Sequence, residues 1–238
     1  MHEEARRLRL ASWNVHRCIG VDGVRDHDRV AAVVRELDAD AIVLQEIEAE
    51  PTPEAVLDQL LVLADATGLT AVAGTVLTDR RGGYGNALLT RRPVASVRRI
   101  DLSISGREPR GAIDVTLALG ASFLRIVGTH LGLRAAERRS QLGSLLEKLG
   151  PASAEPMVVL GDFNEWLPTS RNLRGLQGRF GRPAAPRTFP SWRPVLALDR
   201  IWAEPHAMLH AIGVHRSPLA RIASDHLPVW ATVVMEDA

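Results

Sequence analysis

Hydrophobic and polar positions alternate along this chain with two different periods, which together predict strands and helices. Residues 8–15 alternate at the two-residue period of a half-buried strand. Valines and a leucine recur at helical spacing over residues 26–37, behind aspartates that can cap the first turn. Residues 16–26 join the two patterns, contain glycines and charged side chains, and are expected to form a loop.

The remaining apolar runs predict a strand-rich chain. Further strands are expected at residues 41–44, 70–77, 86–90, 94–102, 112–119, 122–129, 157–160, 196–202, 207–214 and 227–234. Glycines separate some of these runs, so residues 80–85 and Gly120 are each expected to form the turn of a hairpin.

Three more helices and one long loop complete the expected organisation. Helices are expected at residues 53–66, with proline 53 in the first turn, at residues 133–149, and near 170–178. Residues 161–195 are otherwise expected to be loop, with the segment 178–194 at the surface. Helix–strand alternation followed by hairpins favours a single α/β domain over residues 1–238.

Composition restricts the class of protein only slightly. The chain has 238 residues, 46% of them hydrophobic, and a net charge of +1, so no overall field favours nucleic acid or a membrane surface. Lys148 is the only lysine among the 29 lysine and arginine residues. A coding bias toward arginine codons is the favoured explanation, and binding of phosphate oxygens by arginine is the alternative. Cys18 is the only cysteine, interpreted as a bystander thiol with redox sensitivity as the alternative. Without an apolar leader or membrane span, we expect a cytoplasmic monomer.

Several apolar runs end in a residue that can bind a metal or move a proton. These residues are Asn14, Glu46, His130, Asp162 with Asn164 close behind it, Asp199, and the Asp225-His226 pair before the last strand. Asp and Asn often cap turns, which is the alternative explanation for each of them taken singly. Because functional side chains favour strand ends at one edge of a sheet, we expect the set to meet in one site.

The residue types in this set indicate the chemistry of the site. Carboxylate and amide oxygens are hard ligands that suit Mg²⁺ or Mn²⁺ better than Zn²⁺. The sequence has no HExxH or CxxC motif, no phosphate-binding GxxxxGK[ST] loop and no GxSxG elbow. A magnesium-dependent site is therefore favoured over zinc, nucleotide-loop and serine-hydrolase sites.

Eight segments resemble motifs of the endonuclease/exonuclease/phosphatase superfamily, and together they extend over nearly the whole chain. They are LASWNVHR (10–17), IVLQEIE (42–48), GNALLTRRPV (85–94), EPRGAIDV (108–115), VGTHLG (127–132), VVLGDFNEW (158–166), ALDRIW (197–202) and SDHLPVWA (224–231). The resemblance implies an α/β fold, a four-layer α/β/β/α sandwich of two packed mixed β-sheets flanked by helices. It also implies in-line attack of water on phosphorus, and compact bacterial members of the phosphodiesterase type are the most similar overall.

The resemblance also implies a role for each matching residue. Glu46, Asn14 and Asp225 would hold the metal; Asp162 would orient or deprotonate the water; His226, aimed by Asp199, would donate to the phosphate. His130 would be a further donor or leaving-group acid, and Asn164 would hold water or a phosphate oxygen. Arg110, with Arg107 as a rival, would contact this cluster. Asn86 and Trp166 are weighed between substrate contact and ordinary turn or packing roles.

The function expected from this set is Mg²⁺-dependent hydrolysis of a phosphodiester, with Mn²⁺ as a substitute. A phospholipid or small phosphodiester is favoured as substrate, DNA or RNA is the alternative, and a phosphomonoester is a third. Nucleic-acid binding would require a basic groove, which the near-neutral net charge disfavours. A catalytically silent binding module on the same fold is the rival from another class.

Overall fold

The computed structural model describes residues 7–51, 56–79, 82–152, 155–167 and 169–235. The strands are β1 (Arg7–Asn14), β2 (Ala41–Pro51), β3 (Val56–Asp58), β4 (Thr70–Asp79), β5 (Gly82–Thr90), β6 (Val94–Asp101), β7 (Gly111–Leu119), β8 (Ser122–His130), β9 (Met157–Asp162), β10 (Asp199–Glu204), β11 (Leu209–Val214) and β12 (Val229–Val234). The α-helices are α1 (His27–Leu37), α2 (Gln59–Thr67), α3 (Ala135–Leu149), α4 (Arg174–Phe180) and α5 (Ala220–Ala223). Short 3₁₀ turns lie at His16–Cys18, Arg171–Leu173 and His206–Met208.

Two mixed sheets carry the fold. One runs in the order β11-β12-β1-β2-β5-β4, with β3 beside β2, and the other in the order β10-β9-β8-β7-β6. Each sheet contains one parallel pair, β1 with β2 and β8 with β9. An apolar core with members from both sheets lies between them, and one further core lies outside each sheet. These four layers confirm the expected α/β/β/α sandwich.

The sheets approach each other closely where a glycine faces a branched side chain. A Cβ on Gly128 of β8 would collide with the methyl groups of Val43 of β2. Likewise, a Cβ on Gly74 of β4 would lie 2.7 Å from the Cβ of Ile113 in β7. Glycine at these positions therefore lets the two sheets pack tightly over their shared core.

The helices begin and end where side chains can satisfy their free backbone groups. Asp26 caps α1 by accepting the amide of Arg29 at 2.8 Å, as the sequence predicted. The helix expected from residue 53 begins later, because Asp58 accepts the amides of Leu60 and Leu61 and so caps α2. Residues 56–58 form β3 instead, and proline 53 lies outside the described residues.

Other corrections concern strand length and pairing. Strand β2 continues well beyond residue 44, because β5 and β3 both pair with it. Gly82–Gly85, expected in a turn, belong to β5, while the predicted turn residues 80 and 81 lie outside the described residues. The short helix α5 was not predicted. Within the described ranges, none of the helices combines the length and apolarity needed to cross a bilayer.

Candidate active site

Strand pairing brings three of the predicted residues side by side at one edge of the second sheet. His130 ends β8 and is in register with Asp162, which ends the parallel strand β9. Asp199 is in register with Asp162 from the other side. It begins the antiparallel strand β10, whereas the sequence suggested that it ends a strand. Because β10 runs in the opposite direction, its beginning lies at the same edge as the ends of its neighbours.

The first sheet contributes Asn14 and Glu46 from its parallel pair. Asn14 ends β1, and Glu46 lies at a β-bulge within β2, where the register shifts between Leu44 and Ile47. Glu46 adopts a positive φ of 59°, which is uncommon outside glycine and typical of functional sites. The bulge therefore re-aims the Glu46 carboxylate within a strand that continues past it.

Asn14 links the two sheets at the site. Its Nδ2 donates to Glu46 at 3.0 Å and to Asp162 at 3.2 Å, and its Oδ1 accepts the amide of His16 at 3.0 Å. In this arrangement Asn14 positions the two carboxylates, and its own oxygen is engaged by backbone. Asn14 therefore lies beside Glu46, and metal binding by either residue stays a prediction.

The segment carrying Asp225 and His226 is fixed against β1. The Ser224 hydroxyl donates to the backbone oxygen of Asn14 at 2.7 Å, and the indole of Trp13 donates to the backbone oxygen of His226 at 2.9 Å. The side chains of Asp225 and His226 both line the pocket that Glu46 lines. These two hydrogen bonds therefore place the last motif of the sequence beside the first.

His226 is clamped between two carboxylates. Its Nδ1 lies 2.9 Å from Asp199 Oδ2, and its Nε2 lies 3.7 Å from Asp162 Oδ2. Burial alone would disfavour the imidazolium, but the nearby charges of Asp199 and Asp162 outweigh it and raise the pKa of His226 to about 10. The ring is therefore held charged and aimed into the pocket.

His130 lies in the same cluster with the opposite protonation. Burial, together with the charges of Arg110 and His226, lowers its pKa to about 3 despite the attraction of Asp162. The amide nitrogen of Asn164 lies 3.1 Å from His130 Nε2, which is consistent with a neutral ring accepting there. Two adjacent histidines are thus driven to different charge states.

Asn164 is held in one orientation by its surroundings. Its φ is 49°, its backbone amide donates to Asp162 Oδ1 at 2.9 Å, and its Nδ2 donates to the backbone oxygen of Leu131 at 2.9 Å. Asparagine tolerates this left-handed conformation better than most residues. The turn after β9 therefore fixes both Asp162 and the amide that follows it.

Arg110, not its rival, belongs to the site. Arg110 is buried, lines the pocket and pairs with Glu108 through contacts of 3.2 and 2.9 Å. Arg107 instead pairs with Glu137 at 3.0 Å and is absent from the pocket lining. Arg110 therefore lines the same pocket as the predicted site residues, and a functional contact with them stays a prediction.

The two remaining predicted substrate contacts differ in their outcome. Trp166 lines the pocket with 62% of its surface exposed, so it forms part of the rim. Asn86 is buried outside this pocket, where its Nδ2 donates to the backbone oxygen of Gly111 at 2.8 Å. Asn86 therefore ties β5 to β7, and its contact with a substrate stays a prediction that its position outside this pocket does not favour.

The pocket also contains residues that the sequence did not indicate. These are Arg17, Tyr84, Glu108, Leu133, Phe189 and Leu198, around a cavity of about 330 Å³. Tyr84 is the only tyrosine in the chain and stands in a glycine-rich segment, which could have marked it as unusual. Burial and the nearby Glu46 carboxylate raise the pKa of its phenol, so Tyr84 remains protonated.

The site contains two sets of side chains with potential metal-ligand atoms: Asp162, Asp199 and His226 form one, and Glu46 and Asp225 form the other. Among the described residues, ligand atoms of Asp162, Asp199 and His226 lie within 4.8 Å of one another. Asp199 Oδ2 is already engaged by His226 and by the hydroxyl of Thr188. The carboxylates of Glu46 and Asp225 line the pocket without belonging to this group.

Comparison with known proteins agrees with this geometry. The model of the endonuclease/exonuclease/phosphatase family matches residues 11–226. YbhP of Escherichia coli (strain K12) is 32% identical over 220 residues, which represent 84% of this chain and 85% of YbhP.

Solved structures share the fold. An endonuclease/exonuclease/phosphatase from Beutenbergia cavernae DSM 12333 superposes with a TM-score of 0.79 at 24% identity, over 98% of this chain and 72% of that one. The mannosyl-6-phosphatase Bt3783 of Bacteroides thetaiotaomicron VPI-5482 superposes with a TM-score of 0.73 at 20% identity, over 96% of this chain and 100% of that one. The chain therefore belongs to the endonuclease/exonuclease/phosphatase family and is a hydrolase of phosphoric esters.

Proposed function

We propose that this protein is a Mg²⁺-dependent phosphodiesterase that acts on a phospholipid headgroup or another small phosphodiester. The observation that carries the proposal is one pocket in which the oxygen ligands Glu46 and Asp225 lie beside Asp162 and the charged His226. Cation binding and proton transfer can thus act on the same phosphorus atom.

The donor set fits a hard divalent cation. Glu46 and Asp225 offer carboxylate oxygens in an open pocket, and Asn14 orients Glu46 through a 3.0 Å hydrogen bond. Bound there, Mg²⁺ would supply positive charge to a non-bridging phosphate oxygen. Mn²⁺ has the same ligand preferences and is the expected substitute.

Asp162 is the group best placed to orient and deprotonate the attacking water. It is 1% exposed, and its Oδ1 is fixed by the backbone amide of Asn164 while its Oδ2 faces Asn14. A base held in this way loses little freedom when the water binds. His226, charged and fixed by Asp199, then donates from Nε2 to the phosphate as negative charge grows on it.

His130 and Asn164 take narrower roles than the sequence suggested. Neutral His130 has no proton at a nitrogen that accepts from Asn164, so it orients that amide instead of protonating the leaving group. The remaining hydrogen of the Asn164 amide already meets the backbone oxygen of Leu131. Together the two residues keep the wall beside Asp162 rigid.

The charge balance of the pocket supports a diester in preference to a monoester. Arg110 is neutralised by Glu108, and Arg17 pairs with Glu48 at 3.0 Å. A phosphomonoester carries about −1.5 to −2 charge near pH 7, whereas a diester carries a single charge and has a second substituent to accommodate. The open cavity with its Trp166 and Leu133 rim offers room for that substituent.

The rim supports a lipid substrate over nucleic acid. Leu133 and Trp166 line the pocket, Leu167 follows Trp166 along the chain, and these three and Trp192 are 62–70% exposed. Arg134 and Arg193, next to Leu133 and Trp192 in the chain, are exposed as well. Tryptophan, leucine and arginine together suit the boundary of a bilayer with anionic headgroups. Bases would stack on the tryptophans, but they would gain little from the exposed leucines.

The first experiment compares hydrolysis of bis-(p-nitrophenyl) phosphate and p-nitrophenyl phosphate with Mg²⁺. We expect diester hydrolysis that is lost in EDTA and falls at least about 10²-fold in Asp162→Asn and Glu46→Gln. Glu147→Gln, at an exposed position of α3, is the matched control and should retain full activity. Equal loss in the control, or preferential hydrolysis of the monoester, would contradict the proposal.

A second experiment chooses between the substrate classes. Hydrolysis of phospholipid in vesicles and of single-stranded DNA is compared for the wild type, Trp166→Ala and Trp192→Ala. Phe123→Ala is the control, because Phe123 is 52% exposed near the end of β8 that is remote from His130. Loss of vesicle hydrolysis in both tryptophan variants supports a lipid substrate, whereas efficient DNA cleavage by the wild type favours a nuclease.

A further inference from the structure

Arg200 is a buried arginine without a carboxylate partner. Three arginines of the described chain are buried: Arg110 pairs with Glu108, Arg138 pairs with Glu165 at 3.2 Å, and Arg200 is 4% exposed. No carboxylate within the described segments lies at ion-pair distance from Arg200, whose side-chain hydrogen bond goes to the backbone oxygen of Glu165 at 3.1 Å; the carboxylates of Glu165 and Asp199 act on its charge only from farther away. A buried guanidinium without an ion pair lowers the stability of the folded protein, so we expect an anion to bind beside Arg200.

The surroundings of Arg200 form a cavity lined by hydrogen-bond donors. It measures about 310 Å³, and Gln177, Arg182, Trp202 and the segment 183–185 line it together with Arg200. Arg200 Nε and Trp202 Nε1 are both buried and have no hydrogen-bond partner in the structure. Both unpartnered groups are donors, which requires an acceptor on the ligand.

This cavity is separate from the catalytic pocket. Arg200 and Trp202 follow Asp199 in β10, and Trp202 belongs to the core that β10 shares with α3 and α4, outside the second sheet. Asp199 contacts His226, whereas Arg200 contacts the backbone of Glu165, the residue after Asn164. The cavity therefore lies behind the loop that carries Asn164 and Trp166.

We propose that this cavity binds an oxyanion, a phosphate or carboxylate group of a small molecule, with Arg200 and Trp202 as its buried donors. Arg182, exposed at the cavity, adds a second positive charge that would draw the anion in. The anion would supply a counter-charge in direct contact with Arg200, closer than the carboxylates of Glu165 and Asp199, and would accept from both unpartnered N–H groups. This site would act independently of the catalytic chemistry.

The test follows thermal unfolding in EDTA with inorganic phosphate, acetate or chloride at equal ionic strength. We expect phosphate or acetate to raise the midpoint of the wild type above its value in chloride, by about 5 °C or more near one hundred times its Kd, with a logarithmic dependence on anion concentration above Kd. Arg200→Met should lose this rise. Trp202→Phe, which removes only the N–H donor and some ring area, should reduce it and serves if Arg200→Met does not fold.

Two controls separate this site from other effects. Arg138→Met breaks a paired buried arginine, so it should unfold at a lower temperature in every buffer and keep the anion-dependent rise. His226→Gln removes the phosphate donor of the catalytic pocket and should also keep the rise. The proposal is overturned if neither anion raises the midpoint above its value in chloride, if the rise is unchanged in both Arg200→Met and Trp202→Phe, or if it is lost in His226→Gln.

Discussion

Cys18 shows how strongly a single buried position can suppress reactivity. Its side chain is fully buried, and burial, only partly offset by Arg25, raises the pKa of its thiol to about 12. The thiolate is therefore almost absent at pH 8, and it is the thiolate that reacts. We expect no reaction of the native protein with a thiol-specific disulfide reagent at pH 8 and one equivalent of reaction in guanidinium. Rapid labelling of the native protein would instead support the redox alternative.

Glu165 connects the catalytic loop to the helix layer and should make stability depend on pH. Although burial opposes its charge, hydrogen bonds from Ser170, Arg138 and Asn172 lower the pKa of this carboxyl below its usual value of 4.5. A lowered folded-state pKa means that the contribution is present above pH 4.5 and is lost as the pH falls through the folded value.

Replacing the Glu165 carboxylate should destabilise the protein less at acidic pH than at neutral pH. Glu165→Gln should lower the free energy of unfolding at pH 7, and the difference from wild type should decrease below about pH 4.5, where the unfolded wild-type carboxyl also becomes protonated. Urea unfolding over this pH range measures it. Glu147→Gln is the exposed control. A difference that does not change with pH would show that the carboxylate charge is unimportant.

At the scale of elements, the close contact of β8 and β9 makes glycine necessary beside Asp162, the proposed general base. Gly161 has a φ of 151°, and a Cβ there would collide with the backbone oxygen of Thr129. Backbone cannot yield as a side chain can, so Gly161→Ala should displace Asp162, destabilise the protein and lower kcat at least about 10²-fold.

A second glycine provides the matched comparison. Gly143 lies inside α3, where a Cβ would meet nothing within 4 Å. Gly143→Ala should therefore stabilise the protein by about 0.5–1 kcal/mol without changing kcat. Denaturant unfolding and kinetics on both variants test the pair. Similar effects of the two substitutions would contradict the structural explanation.

Elements that depend on a local sequence pattern were predicted well from the sequence. Features that depend on pairing with a strand distant in the chain were predicted poorly. The helix over 26–37 was predicted because its cap and its apolar spacing are local. The bulge at Glu46 and the start of β10 at Asp199 depend on partners such as Asp162, far away in the chain. For the same reason Tyr84 was missed, and the hydrogen bond from Asn86 to the backbone of Gly111 could not be foreseen.

At the scale of the molecule, the pocket gathers three carboxylates whose mutual repulsion a bound cation would lower, although Arg110 and the charged His226 line it as well. Glu46, Asp162 and Asp225 line one pocket. Mg²⁺ or Mn²⁺ at one hundred times its Kd should raise the free energy of unfolding by about 2.7 kcal/mol. Asp225→Asn should lose this gain, and in EDTA it should be at least as stable as wild type because a like charge is removed.

The metal prediction is measured by thermal unfolding with and without EDTA. Glu147→Gln should respond to metal as the wild type does. Equal stabilisation of Asp225→Asn and wild type would place the cation elsewhere. Absence of any effect in the wild type would contradict metal binding in the free protein while leaving the cavity behind the Asn164 loop untouched.

The hairpin turn at Gly120 divides the catalytic residues between two stretches of chain. Asn14, Glu46 and Arg110 precede Gly120 in the chain, whereas His130, Asp162 and His226 follow it. Strand β1 needs β12, and β7 needs β8, from across that division. A chain cut at this exposed turn would give two silent fragments whose reassociation alone restores turnover. Fused to two proteins that meet in a cell, such fragments would form an enzymatic sensor of their encounter.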